Sequence, residues 1–125
     1  MSTCTDVDAT WTLRRGEDYT ATWQLMAVGG ATAAPYVVGE IVELAFGELG
    51  TTGGEIFKLS TENINEALAT EGSALVRFFI TGEQVDLLTN DSHQADVWRI
   101  TDGRRKHVGQ IEVRVLPRVN NTPGA

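Results

Sequence analysis

The chain has 125 residues, 42% of them hydrophobic and 22% charged, and a formal net charge of −7. This length suits one domain with one buried core, and the composition argues against disorder. The acidic balance argues against nucleic-acid binding, which needs clustered Lys and Arg to neutralise phosphates. No apolar run reaches the ~20 residues of a membrane span, and no secretion signal is evident, so we expect a soluble protein that contacts no membrane.

The cysteine content indicates the redox compartment, and the composition of the two ends indicates the limits of the domain. Cys4 is the single cysteine, so no internal disulfide can form, which fits synthesis in a reducing cytoplasm. It has no neighbouring histidine or cation to activate its thiol, and we expect no catalytic role for it. Residues 1–9 are small and polar and predict a flexible arm, followed by one domain over residues 10–119 and a flexible tail over residues 120–125.

Alternation of apolar and polar residues predicts strands in the first half of the chain. The alternating or strand-like segments are Trp11 to Leu13, Tyr19 to Leu25, Val42 to Phe46 and Glu55 to Leu59. Charges and a glycine in residues 14–18 predict a tight connection, and residues 29–35 and 47–54 predict surface loops. Residues 60–69 fit either a short helical turn or a loop with apolar anchors.

The strongest predicted strand is Ala74 to Ile80. It is apolar on both faces apart from Arg77, which predicts a central position between packed layers. Thr81 and Gln84 then form a capping-box pattern ahead of an apolar helical spacing. The pattern predicts a short helix over residues 82–88.

A hairpin is predicted near the end of the chain. Asp102-Gly103, the dipeptide preferred in two-residue hairpin turns, separates alternating residues 94–101 from alternating residues 108–116. Pro117 should end the second strand because it cannot donate a ladder hydrogen bond. The sum is about seven antiparallel strands with one short helix near residues 82–88, which predicts an all-β, immunoglobulin-like sandwich.

The residues offer no convincing catalytic or metal site. His93 and His107 are the two histidines and so the bases available near neutral pH. His93 lies in a turn-like Asn-Asp-Ser-His-Gln segment and is expected on the surface, whereas the basic neighbours of His107 would repel a metal cation. Zinc, calcium and phosphate-loop spacings are lacking. We therefore predict no enzyme, no cofactor and no metal.

Tryptophans are the feature that keeps a sugar-binding alternative open. Trp11, Trp23 and Trp98 would stack on a sugar if their rings were exposed. All three fall at period-two positions, however, and we expect them to be core residues. The side chains expected to line the interior include Trp23, Val76, Phe78, Trp98 and Val113.

Charge is unevenly distributed along the chain. Six basic and two acidic residues lie between Arg99 and Arg118, a balance of +4 that leaves −11 for the remainder. The segregation predicts either a basic edge that meets an acidic face of another subunit or a solubilising surface with a charged hairpin tip, and the second is favoured. In the first case the assembly contacts would be Arg104, Arg105, Lys106 and Arg118.

Four segments carry a family resemblance, namely residues 13–19 (LRRGEDY), 78–88 (FFITGEQVDLL), 95–103 (ADVWRITDG) and 110–117 (QIEVRVLP). Together they resemble the immunoglobulin-like N-terminal domain of phage upper-baseplate proteins (BppU-like) and related small tail and fibre-adaptor proteins. The resemblance covers most of residues 10–119. It departs at residues 31–47, which replace a short turn, and near Pro117, where no shaft follows, so a stand-alone subunit is expected.

The resemblance implies a phage virion structural protein, made in the host cytoplasm and located in the virion at the tail, baseplate or fibre-attachment region. Such a protein would form homo-oligomers and contact other virion proteins through exposed strand edges and loops. One alternative is a carbohydrate-binding module that recognises a host surface glycan. Another is a capsid decoration protein with the same fold.

Overall fold

The computed structural model of the chain describes residues 9–27, 32–48 and 54–118. Within these ranges it forms eight strands and one helix. In chain order they are β1 (Ala9–Arg14), β2 (Tyr19–Gln24), β3 (Ile41–Glu48), β4 (Glu55–Ser60), β5 (Ala67–Ala69), β6 (Leu75–Ile80), α1 (Gly82–Leu87), β7 (Ser92–Thr101) and β8 (Arg104–Leu116). Cys4, the predicted arm and the predicted tail lie outside the described residues, except that Ala9 already begins β1.

The strands form two sheets. The large sheet has the order β1-β8-β7-β3-β4, and the small sheet has the order β2-β6-β5. This mostly β arrangement agrees with the predicted all-β sandwich. One pairing differs from the expected antiparallel pattern, since β1 runs parallel to β8, with Ala9 beside Ile111 and Arg14 beside Leu116. The turn after β1 carries the chain into the small sheet, so no hairpin joins β1 to β8 and a parallel pairing of the two strands is possible.

The hydrophobic core lies between the two sheets and is built by strand alternation. In β8 the inward side chains of Ile111, Val113 and Val115 are buried while Arg114 is exposed, as the sequence predicts. Each buried aliphatic or aromatic side chain contributes about 1.5–3 kcal/mol relative to exposure. The largest fully buried apolar side chains are Phe46, Phe78, Leu25, Leu44, Leu59, Ile80, Leu88 and Ile111.

Two local predictions are confirmed. Thr81 and Gln84 form the capping box of α1, with the Gln84 N–H donating to Thr81 Oγ1 at 3.1 Å and the Thr81 N–H donating to Gln84 Oε1 at 2.9 Å. Asp102 and Gly103 form the turn of the β7–β8 hairpin with φ angles of 52° and 77°, the left-handed region that this turn type requires. The capping box and the hairpin turn each involve residues close together in the sequence, which is why the sequence alone predicts them.

Two other expectations need correction or completion. Residues 61–66 form turns, and the chain then enters the short strand β5, which the sequence pattern did not reveal.

β6 is the central strand of the small sheet, but only one of its faces is covered. Val76 and Phe78 point into the core, whereas Leu75 on the opposite face is 54% exposed. The expected second packed layer is therefore not formed by any described residue.

The charged turn after β1 locks one end of the sandwich. The Gly82 N–H donates to Asp18 Oδ1 at 2.6 Å, and the Arg15 guanidinium donates to the Leu88 carbonyl. Gly82 packs so closely on the turn that a Cβ added there would lie 2.5 Å from the Gly16 carbonyl oxygen. The predicted tight connection therefore also fixes the position of α1.

Candidate functional site

No metal centre can be assembled from the described residues. Across residues 9–27, 32–48 and 54–118, no group of three or more His, Cys, Asp or Glu side chains is placed to hold a metal ion. In the same ranges no helix is long and apolar enough to cross a membrane. The candidates for a functional site among the described residues are therefore buried ionisable groups and the outer surfaces.

His93 is buried, so its predicted place on a surface turn is wrong. Its side chain has 0% exposure because β7 begins at Ser92 and alternation then directs His93 inward. Nε2 accepts the Asn90 N–H at 3.0 Å, which leaves Nδ1 as the donor to the Gly47 carbonyl at 3.2 Å. Nδ1 thus joins β7 to the end of β3, Nε2 fixes the turn before β7, and His93 has a structural role.

Arg99 and Glu40 form a buried ion pair that sequence analysis missed. Each residue is 8% exposed, and Arg99 Nε and Nη2 donate to the two Glu40 carboxylate oxygens at 2.5 and 2.7 Å. The remaining guanidinium N–H groups donate to the carbonyls of Met26, Ala34 and Pro35 at 2.7–3.0 Å. All five donors of the guanidinium are therefore satisfied, and the pair fastens the chain before β3 to the large sheet.

The four predicted assembly contacts do not form one surface. Arg104 and Lys106 lie opposite Thr101 and Arg99 in the β7–β8 register, so their side chains share one face of the hairpin. Arg105 points to the other face, where its Nη1 donates to Glu43 Oε1 at 3.0 Å. Arg118 lies beyond the opposite end of β8 and pairs with Asp86 at 2.7 Å. Strand alternation therefore places Arg105 on the face opposite Arg104 and Lys106, and the length of β8 separates Arg118 from all three.

A groove, named here the hairpin groove, lies between the β7–β8 hairpin and the segment before β3. Its volume is about 520 Å³. It is lined by Ala27, Ala34, Glu40, Arg99, Thr101, Asp102, Arg104 and Lys106. Because Arg99 and Glu40 are occupied by each other, the cations that the groove offers to a ligand are Arg104 and Lys106.

Trp98 lies on the outer face of the large sheet, which corrects its expected place in the core. The inward positions of β7 belong to Val97 and Arg99, so the half-buried indole faces outward. The Arg105 guanidinium lies 4.9 Å from the ring centroid, and the His107 ring meets it edge-on at 5.0 Å. The expectation holds for Trp23, which is 5% exposed.

Polar side chains around Trp98 form hydrogen bonds and ion pairs with one another. These side chains and Trp98 are named the Trp98 face: Glu43, Lys58, Gln94, Asp96, Trp98, Arg105 and His107. His107 Nε2 lies 2.9 Å from Asp96 Oδ1, and Gln94 Nε2 donates to the same carboxylate at 3.2 Å. Lys58 Nζ lies 3.5 Å from Glu43 Oε2. A groove of about 180 Å³ beside Trp98 includes Gln94, Asp96 and Arg105 in its lining.

The outer face of the small sheet is more apolar. Leu68 and Leu75 are 41% and 54% exposed, and Phe79 is half-buried on the same side. Arg77 lies between Leu75 and Phe79 along β6 and is paired with Leu68 on one side and with Thr22 on the other. These residues are named the small-sheet face: Thr20, Thr22, Gln24, Leu68, Leu75, Arg77 and Phe79.

Comparison with known proteins adds no assignment. A scan against protein-family models and a search of curated proteins both found no match to this chain.

Proposed function

We propose that the protein is a phage virion structural protein, a tail, baseplate or fibre-adaptor subunit that acts through protein–protein assembly. The observation that carries the proposal is the small-sheet face, where Leu68 and Leu75 expose large apolar side chains beside the edge strands β2 and β5, each of which pairs among the described strands with β6 alone. Covering apolar surface is favourable at about 25 cal/mol per Å². The placement in a phage particle is supported by the resemblance of the four sequence segments.

The strand order supports an immunoglobulin-like sandwich. In the large sheet, β3 and β4 adjoin the β7–β8 hairpin, and in the small sheet β2, β6 and β5 lie side by side. The position of β4 beside β3 is similar to the variable-type arrangement, in which two strands are added to the sheet that holds the central hairpin. In this proposal α1, between β6 and β7, closes one end of the sandwich, and the role requires no catalytic chemistry.

Light scattering of the purified protein and imaging of intact virions test the proposal together. We expect an oligomer in solution and the protein in particles at the tail. The double variant Leu68→Ser/Leu75→Ser should shift the oligomer toward monomer, because it removes the apolar gain without touching the core. Leu87→Ser is the matched control, since Leu87 is 51% exposed but lies on α1. A strict monomer absent from particles would contradict the proposal, and particles decorated only on the capsid would favour the capsid alternative.

Glycan binding is a second candidate, and the outward position of Trp98 favours it. The ring lies beside Gln94 and Asp96 in the groove of about 180 Å³, and amide and carboxylate groups hydrogen-bond sugar hydroxyls. Arg105 covers the ring in this structure. A glycan array with tryptophan-fluorescence titration checks this candidate. Binding that is lost in Trp98→Ala and strengthened in Arg105→Ala would support it, and no binding to any glycan would remove it.

A further inference from the structure

We propose that the hairpin groove binds the acidic segment Asp6-Val7-Asp8 of a second copy of this chain. The inference deepens the proposed assembly function and rests on it, because it names one contact through which copies would join. It depends on two cations of the groove that have no partner among the described residues, on the spacing of these cations, and on the distance that separates the groove from the N-terminal segment of the same chain.

Arg104 and Lys106 are these two cations. Among residues 9–27, 32–48 and 54–118 neither side chain has a hydrogen bond or an ion pair. Arg99, Arg105 and Arg118, in contrast, each bond to a carboxylate. Two like charges on one strand face repel each other, and an anionic ligand between them would relieve that repulsion.

The spacing of these two cations matches the proposed occupant. Arg104 and Lys106 are two residues apart on one strand, which places their Cα atoms about 7 Å apart on the same face. Asp6 and Asp8 are also two residues apart, so in an extended backbone their carboxylates share one side at the same spacing of about 7 Å. Residues 1–8 carry no lysine or arginine that would oppose this pairing.

The walls of the groove are formed before any ligand binds. Arg99 holds the carbonyls of Ala34 and Pro35 at 2.7 and 3.0 Å, which fixes the wall opposite the hairpin. Ala27 and Ala34 present small side chains there, which leaves room for a backbone and a side chain such as that of Val7. A preformed site loses little conformational entropy on binding, which lowers the free-energy cost of the contact.

The net charge of the chain does not prevent this contact. Exposed charges farther apart than a Debye length of about 8 Å at physiological ionic strength are largely screened. The groove therefore presents mainly its own lining to a ligand. Asp102 is the one unpaired carboxylate among the described lining residues, against the two cations Arg104 and Lys106.

The distance along the sheet indicates that the occupant comes from another copy. Ala9 pairs with Ile111, and Lys106 lies farther along β8 toward the hairpin, at about 17 Å for a rise of 3.3 Å per residue. Asp8 adjoins Ala9, and consecutive Cα atoms are only about 3.8 Å apart. Since β1 is parallel to β8, an extended segment before Ala9 would run toward the hairpin and bring Asp6 level with Val108 while Asp8 stayed level with Gln110. The two carboxylates would therefore not engage Arg104 and Lys106 of their own chain together. An arm that enters a neighbour's groove is a head-to-tail contact, which generates rings or filaments.

Two full-length variants, each defective on one side of the contact, test the inference. One carries Arg104→Gln/Lys106→Gln with the arm intact, and the other carries Asp6→Asn/Asp8→Asn with the groove intact, so that neither variant creates a new opposite charge for the other. Each alone should show an association constant lowered about tenfold, since exposed ion pairs contribute about 0.2–1 kcal/mol each. Mixed in equal amounts, they should form a complex of one copy of each, because one intact arm then meets one intact groove.

Arg114→Gln and Asp91→Asn are the controls, as both residues are exposed charges outside the groove and outside the small-sheet face, and neither should change the association constant. Sedimentation velocity at low and high salt measures all of these species. Association unchanged in both double variants, or a mixture that forms no complex, would overturn the inference. If association persists but is abolished by Leu68→Ser/Leu75→Ser, the arm contact fails while the proposed assembly function stands.

Discussion

The two sides of the β7–β8 hairpin carry similar ion pairs in different surroundings. On the inner side Glu40 binds Arg99, and both side chains are almost fully buried. On the outer side Glu43 binds Arg105 and Lys58, whose side chains are 45% and 44% exposed. Glu40 and Glu43 are themselves almost equally buried. The exposure of the partner, more than that of the carboxylate, should therefore decide what each ion pair contributes to stability.

The largest expected effect is on the inner side. Glu40→Ala leaves the Arg99 guanidinium buried without a counter-charge, and the free energy of unfolding should fall by about 3–5 kcal/mol. Urea denaturation followed by tryptophan fluorescence measures it. The loss should persist in 1 M salt, because a buried pair is poorly screened. A loss below 1 kcal/mol would mean that the Met26, Ala34 and Pro35 carbonyls hold Arg99 without help from the carboxylate.

A smaller effect is expected on the outer side. Glu43→Ala should lower the free energy of unfolding by about 1 kcal/mol, since Arg105 and Lys58 can return to water when their partner is removed. The same denaturation experiment checks this, and most of the difference from the unaltered protein should disappear at high salt. If Glu43→Ala proves as damaging as Glu40→Ala, the exposure of the partner is not the deciding variable.

The smallest effect on stability is expected for Arg105→Ala, within about 1 kcal/mol, because an exposed cation–π contact contributes about 0.5–1 kcal/mol. Its optical effect should be clear, since the Trp98 ring loses its cover while Trp23 stays buried. Acrylamide quenching of tryptophan emission should therefore increase in Arg105→Ala. Lys106→Ala, one residue away on the opposite face of β8, serves as the control and should leave quenching unchanged.

Local features of the fold were predictable from the sequence. The capping box of Thr81 and Gln84 and the Asp102-Gly103 turn involve residues within three positions of each other, so neighbouring residues suffice to specify them. The inward and outward sides of β8 followed from alternation. For β7 alternation separated two faces correctly, but it did not tell which face meets the core, and Trp98 was assigned to the wrong one.

Features of the candidate sites required the fold. The parallel β1–β8 pairing, the burial of His93 and the Arg99–Glu40 pair join segments far apart in the chain; in the last case 59 positions separate the partners. The basic residues Arg104, Arg105, Lys106 and Arg118, which the sequence grouped by charge, are divided by strand alternation and by the length of β8.

The sequence by itself therefore determined the strands other than β5, the hairpin turn and the helix, because hydrogen bonding in turns and helix caps and side-chain periodicity act between near neighbours. Tertiary structure decided which charges are buried and paired and which remain available. Desolvation and ion pairing depend on what packs against a side chain, and in this protein those contacts come from distant parts of the chain.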